Sequence, residues 1–385
     1  MLCAMATPAT ASECGPQPQS RLLSLDVFRG WTIAAMVLVN NPGSASVTFA
    51  PLLHAPWHGW TFTDLIFPSF LWIAGVALTL SLERRKRSGA DRRILFLHAL
   101  RRSAIIFGIG LFLNAFPDFD LSSVRIPGVL QRIAVCYLCA AAIYLFSNVR
   151  GQMLWLTGLL GAYWVLMMYM PTPGCGAGRL EPECNFARFV DGLLLKGRMW
   201  SVTKDWDPEG VVSTLPAIGT TLLGVLAGHI LRLGRAAAER AVWLFLTGNG
   251  LIFAGLVLNT WMPINKPIWT VSYALFTAGI ASVLFATIYW LVDGVGLRCG
   301  TRPLVILGVN ALAVYIASSM IADLMGVIPL PSPSGAMTSA HRAIYELLAL
   351  IFPPALASLG YALLNVAICW LMAYWFWRRK WIFKV

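Results

Sequence analysis

Charge is scarce in this chain: Asp, Glu, Lys and Arg make up 12% of its 385 residues, about half the share of a soluble globular domain. A surface built for water needs more, so a soluble enzyme is excluded, and the 58% of hydrophobic residues points to lipid as the solvent. Acidic residues are scarcer than basic ones, 17 against 29, which leaves a formal net charge of +12. That excess does not make a nucleic-acid binder, because Lys and Arg stand in short clusters between apolar stretches and not along one polar face. Metal ligands are few as well. Only five histidines occur; His54 and His58 lie four apart, but Pro56 opposes a helix between them, and no third Cys or carboxylate has matching spacing, so no metal is expected. Residues 1–20 hold no Lys or Arg and no small-residue cleavage pattern follows them. They are expected to be an uncleaved, disordered cytoplasmic tail and not a signal peptide. No soluble domain, low-complexity tract or internal repeat is visible.

Apolar sequence without charge is what the chain has in quantity. Stretches free of Asp, Glu, Lys and Arg cover 65–82, 103–117, 133–149, 151–178, 210–231, 241–265, 267–292, 303–322 and 347–377. Most approach the roughly 20 residues that a helix needs to cross a bilayer core. A first span over 22–40 carries Asp26 and Arg29 near its start, and the third needs residues 95–102 to reach full length. The fold class is therefore all-α, a polytopic membrane helix bundle of about ten transmembrane helices. A short re-entrant or interfacial helix is expected at 341–350, before Pro353 and Pro354. Residues 21–385 read as a single transmembrane domain.

The connections between spans divide the basic residues unequally. Arg84, Arg85, Lys86, Arg87, Arg92, Arg93, Arg101, Arg102, Arg150, Arg232, Arg235, Arg240, Arg298, Arg302, Arg378, Arg379, Lys380 and Lys384 fall on one side together with Arg21 and Arg29. The other side has only Arg125, Arg179, Arg188, Lys196, Arg198, Lys204, Lys266 and Arg342. The Arg-rich side is expected to be cytoplasmic, with both termini on it, as an even number of spans requires. The outer side then holds the long loop 171–209 with Cys175 and Cys184. In an oxidising compartment these are expected to form a disulfide, two free thiols being the alternative. Cys136, Cys139, Cys299 and Cys369 lie in or beside spans and read as small hydrophobes.

Polar residues that persist in or against a membrane are the functional candidates, since placing them there is costly. The stretch VNNPGSASVTFAPLLHAPWHGWTFTDLIFP, residues 39–68, holds Asn40, Asn41, His54, His58 and Asp64 and no basic residue. Helix capping also accounts for Asn40 and Asn41 before Pro42 and Gly43, and for Asp64 after Thr63. Trp57 and Trp60 beside the histidines would wall off water and tune an imidazole for base or nucleophile work. VRIPGVLQR carries Gln131 and Arg132 into a span, where a cation must find an anion or carbonyl in the protein interior. The acids of DPEGVVSTLP precede a helix, whose dipole accounts for them. WMPINKPIWTVSY sets Asn265, Lys266, Trp269, Ser272 and Tyr273 around the outer ends of two spans.

Taken together, SLDVFRG, VLVNNPG, LLHAPWHGWTFTDLIFP, VRIPGVLQRIA, DPEGVVSTLPAIG, NKPIWTVSYAL and LGVNALAVY resemble, in order and over nearly the whole chain, the heparan-alpha-glucosaminide N-acetyltransferase family. The likeness is to its bacterial members, often labelled as N-acetylglucosamine-associated transporters. The resemblance implies a membrane acyltransferase that takes acetyl-CoA as co-substrate from the cytosol and acetylates the amino group of a glucosamine-type sugar on the outer side. It places the family's essential histidine on His54 and the asparagine of its VN motif on Asn40; from the residues alone, either Asp64 or His58 is expected to orient His54. Substrate or CoA contacts are expected from Arg125, Gln131, Arg132, His58, Asn265, Lys266, Trp269, Tyr273 and Asn310. The chain departs from the pattern at VDG, residues 190–192, where relatives tend to have an acid followed by Arg. The implied setting is a bacterial inner membrane; the implied partners are acetyl-CoA, an amino sugar and lipid, with no nucleic acid and with a homodimer allowed. An amino-sugar or N-acetylglucosamine permease is the alternative, against which stand the crowding of polar groups toward one face and the lack of a repeat.

Overall fold

The computed structural model describes residues 22–120, 122–333 and 335–383. The tail expected over 1–20 lies outside them. In chain order the helices are α1 (Leu23–Asn40), α2 (Ile66–Arg87), α3 (Arg92–Ala115), α4 (Val129–Phe146), α5 (Val149–Tyr169), α6 (Phe186–Leu194), α7 (Thr214–Leu231), α8 (Ala237–Leu258), α9 (Val271–Tyr289), α10 (Arg302–Val309), α11 (Ala311–Val327), α12 (Ala340–Ala349) and α13 (Pro354–Arg378). Two small antiparallel hairpins join them, β1 (Leu180–Glu181) with β2 (Cys184–Asn185) and β3 (Pro329–Pro331) with β4 (Met337–Ser339).

Among the described residues nine helices are long and apolar enough to cross a membrane, and α10 with α11 makes a tenth, bent by 80°. The polytopic all-α class stands. Some bounds differ from the charge-free stretches, and the reasons are local. α5 stops at Tyr169 although the uncharged run continues to residue 178, because Pro171, Pro173 and three glycines follow, and Gly174, Gly176 and Gly178 all have positive φ. The span expected over 303–322 is broken at Asn310. There the amide donates to the carbonyl of Trp381 and its oxygen accepts the N–H of Phe383, each at 3.1 Å, so the end of the chain satisfies the break. The short helix expected at 341–350 is α12, ended ahead of Pro353, and Pro354 opens α13.

Burial separates inner from outer helices. α7, α2 and α1 have 72%, 67% and 61% of their most apolar stretch covered by protein, against 22% for α8 and 28% for α3 and α5. The inner helices meet through glycine, as helices in lipid do when backbones must approach closely. A Cβ at Gly75 would stand 2.0 Å from the carbonyl oxygen of Thr221, and one at Gly224 2.1 Å from that of Trp72, so α2 and α7 touch along their backbones. α1 and α10 meet likewise at Gly30 and Gly308. Trp72, Phe28 and Phe285 fill the centre with ring centroids 5.4–6.2 Å apart.

Contacts between connections define two ends of the bundle. At one end the loop after α1 touches the segment before α9 and the first turns of α12 and α13, and the α3–α4 connection touches the segment before α7. At the other, Glu83 of α2 pairs with Arg232 at 2.5 Å and accepts from Tyr144 of α4 at 2.8 Å. Most of the described Lys and Arg lie at this second, arginine-rich end; the histidines of the loop after α1 lie at the first.

Candidate active site

The loop from Asn41 to Thr61 has no regular helix, because Pro42, Pro51 and Pro56 interrupt it; it forms two short 3-10 turns, Ala45–Val47 and Ala50–Leu52. Its start is held by the far end of the chain. Gly43 N–H donates to the carbonyl of Ser358, Ser44 N–H to the Ser358 hydroxyl, and His341 Nε2 lies 3.1 Å from the carbonyl of Pro42. Its end is held by Gly59, whose N–H donates to the carbonyl of Ile264 at 2.7 Å. A third 3-10 turn, Phe62–Leu65, then runs into α2.

Asp64 occupies that last turn and does two things at once. Its Oδ2 accepts the N–H of Thr61 in a capping box and the N–H of Ala55, both at 3.0 Å, which folds the loop back on itself. Its Oδ1 lies 2.7 Å from Nδ1 of His54. The capping role and the orienting role expected for Asp64 therefore coexist on its two oxygens. The Asp64 side chain is 1% exposed and that of His54 54%, so the acid is sealed beneath a ring that faces outward. A buried carboxylate at Nδ1 selects the tautomer with its proton there and leaves the Nε2 lone pair outward, as in a general-base histidine.

Lys266 completes the cluster. Its Nζ is 3.0 Å from His54 Nδ1, 3.3 Å from Nε2 and 3.5 Å from Asp64 Oδ1. Burial holds its ammonium below the usual lysine range, while Asp64 and Glu209 oppose that shift. Asn265, fully buried, donates to the carbonyl of Trp57 at 3.0 Å, lies 3.3 Å from His58 Nδ1 and accepts the N–H of Ile268. It ties the loop just after His54 to the segment that carries Lys266. Burial lowers the proton affinity of His58, and Glu181 counters it. Tyr273 supports the floor by donating its hydroxyl to the Asp64 carbonyl at 2.6 Å. Trp57 donates to the carbonyl of Leu180 and packs edge-on against Trp206, at 5.3 Å, which joins the site to the long loop over 171–209.

Beside this cluster lies a second set of charges. Arg125 forks onto Asp207, with bonds of 2.8 and 2.5 Å, and also reaches Glu209 at 2.5 Å. The acids of DPEG thus face a guanidinium, and α7 begins later, at Thr214; the dipole alone does not account for them. Arg132 in α4 is 2% exposed, donates to the carbonyl of Gly210 and the hydroxyl of Ser213, and lies over the Trp269 ring at 5.1 Å. Its Nε and Nη1, and the Nε2 of neighbouring Gln131, have no partner among the described residues. Asp191 of the divergent VDG string is buried and accepts the N–H groups of Val211 and Asp207, so this acid shapes the segment before α7. Burial pushes its carboxyl up to about 6. Cys175 and Cys184 are bonded to each other. Next to the short loop they close lies a groove of about 490 Å³ lined by Arg188, Phe189, Lys196 and Met199 among others.

Not every expected residue joins these clusters. Asn40 is exposed at the last residue of α1, and no hydrogen bond ties it to His54. It is Asn41 that is buried, donating to the carbonyl of Val37 and the hydroxyl of Ser318. Asn310 lies at the opposite end, occupied by the chain's last described residues. Thr61 and Trp206 are not singled out by the sequence, and Glu209 is read there only against a helix dipole; its signal is Arg125, a cation with no acid assigned to it. No group of three or more metal-ligating side chains occurs among the described residues.

The family model described as heparan-alpha-glucosaminide N-acetyltransferase, catalytic, matches residues 21–262, which include His54, Asp64, Arg125, Arg132 and Glu209. Lys266 falls just beyond it. The chain is 29% identical over 359 residues to heparan-alpha-glucosaminide N-acetyltransferase of Mus musculus, covering 79% of this chain and 54% of that protein. It is 30% identical over 351 residues to the Homo sapiens protein of the same name, covering 77% and 52%. The chain thus spans about half the length of the curated relatives it matches.

Proposed function

The chain belongs to the heparan-alpha-glucosaminide N-acetyltransferase family, and on that premise we propose that it is a transmembrane acetyltransferase carrying an acetyl group from acetyl-CoA to the amino group of a glucosamine-type sugar. The observation that carries the reading is the His54–Asp64 pair, a buried carboxylate behind an exposed imidazole at 2.7 Å. The amine nitrogen attacks the thioester carbonyl carbon, a C–N bond forms, and the C–S electron pair leaves on sulfur. His54 Nε2 takes the proton that the amine must lose and returns it to the departing thiolate, so the products are an amide and the CoA thiol. Asp64 holds the ring and stabilises the imidazolium formed between these two transfers. Asn40 is assigned the amide that donates to the developing oxyanion.

The sides follow from charge. The arginine-rich end is assigned to the cytoplasm of a bacterial cell, with both termini, and His54 to the outer face of the inner membrane. Cations at the cytoplasmic end suit the phosphates of CoA, whose pantetheine arm would run inward between helices. The sugar approaches from the outer loop, whose groove adjoins Trp206 through Asp205. A permease would need no acetyl donor. Purified protein in liposomes, given acetyl-labelled acetyl-CoA on one side and glucosamine on the other, tests the reading: labelled N-acetylglucosamine should appear on the sugar's side. Sugar uptake with no labelled product would contradict it and favour transport.

A further inference from the structure

A carboxylate behind a histidine creates a difficulty as well as a solution. It orients the ring, but its charge also favours the imidazolium, and an imidazole that rests protonated has no lone pair with which to take a proton from an amine. The second neighbour of His54 acts in the opposite sense.

Lys266 comes from the connection between α8 and α9, 212 residues away in sequence, and places Nζ at 3.0 Å from one ring nitrogen and 3.3 Å from the other. Only Cε1 separates those nitrogens. An atom at such nearly equal distances cannot lie in the ring plane: on one edge it would collide with Cε1, on the other with Cγ and Cδ2. Nζ therefore stands over the face of the ring. There it does not compete for the in-plane lone pair of Nε2, and it does not displace Asp64 from Nδ1. An ammonium over a neutral aromatic face is attracted to it; over an imidazolium it meets a like charge.

Resting on the acetyltransferase reading, we propose that Lys266 is a positioning residue which keeps the His54 imidazole unprotonated, so that Asp64 can set the tautomer without turning the base into its conjugate acid. The charged and titratable groups around the pair are Asp64 from the turn before α2, His58 in the same loop, Glu181 of β1 acting on His58, and Glu209 from the segment before α7 acting on Lys266. Asp64 at 3.5 Å and Glu209 favour the charged form of Lys266, against a burial that lowers its proton affinity. When Nε2 does take the amine's proton, the same ammonium repels the imidazolium and speeds return of that proton to the thiolate.

The test reads the proton on His54 directly. Diethyl pyrocarbonate modifies the neutral imidazole, and peptide mapping by mass spectrometry follows His54 alone as pH is varied on the full chain in detergent. Lys266→Met should raise the pH midpoint of His54 modification by about one unit or more, the shift expected from removing a like charge within contact distance. Lys266→Arg should hold the midpoint near wild type, and Asp64→Asn should lower it, which reads the balance from the other side if Lys266→Met does not fold. The acidic limb of acetyl transfer should move with the midpoint. An unmoved midpoint in Lys266→Met overturns the inference whatever the activity, as does a loss of rate by the same factor at every pH. A midpoint that moves in a protein with no acetyl transfer supports the charge relation and defeats the catalytic reading.

Discussion

Oδ1 of Asp64 lies 2.7 Å from Nδ1 of His54, while Oδ2 of the same side chain closes the turn that begins α2. One buried carboxylate thus starts a membrane helix and aims an imidazole, and the two duties can be separated by substitution. Asp64→Asn can keep an oxygen on the capping N–H groups but presents an NH₂ to His54. Turnover should fall by about 10² to 10⁴, the scale on which a histidine held in the wrong tautomer fails, with a melting temperature close to wild type. Undiminished turnover would show that the pair is not used.

Asn40 and Asn41 should behave oppositely. Asn41→Ala removes a buried amide that bonds Val37 and Ser318, and should lower stability by about 1–3 kcal/mol. Asn40→Ala removes an exposed amide, and should leave the melting temperature unchanged while lowering turnover, if Asn40 donates to the oxyanion. Thermal melts and initial rates on the two variants distinguish the roles; a large stability loss at Asn40 would contradict this division.

Arg125 is the countercharge of both Asp207 and Glu209, which are 0% and 10% exposed in their side chains. Arg125→Met leaves them without it and should cost about 3–5 kcal/mol of stability. Pairing it with Asp207→Asn should recover part of the loss in a double-mutant cycle. If the two losses simply add, the ion pair is not coupled.

Asp191 supplies a pH dependence whose sign is fixed. Burial raises its carboxyl to about 6 from the usual 3.8, so between these values the folded chain keeps a proton that the unfolded chain releases. Its contribution to stability is therefore fullest below about pH 4 and is lost as pH rises to about 6. The melting temperature of wild type, relative to Asp191→Asn, should fall across that window. A flat difference would mean that Asp191 is ionised throughout.

Most of the bundle was legible because a helix in lipid must be apolar along its whole length, and few other sequences look alike. The prolines at 171 and 173 mark where the loop after α5 begins, but a rule that reads charge sees nothing at Asn310, where a bend is satisfied by an amide from within the chain and not by a proline. At the site, His54, Asp64 and Lys266 each stood out as polar groups beside a membrane span. Their meeting was not legible, since ten residues separate the first two and 212 the outermost pair, and only the return of the chain before α9 brings Lys266 over the ring. The exchange between Asn40 and Asn41 was hidden for a related reason: at a helix end, a single residue decides which amide turns inward.

The central claim is that the exposed imidazole at the head of this pair carries out the transfer. Its most direct test is the steady-state rate of labelled acetyl transfer from acetyl-CoA to glucosamine by purified wild type and His54→Ala, with acetyl-CoA binding measured on both. The account predicts product from wild type, a rate in His54→Ala lower by at least about a hundredfold, and acetyl-CoA binding retained. A His54→Ala protein that acetylates glucosamine at the wild-type rate would contradict it.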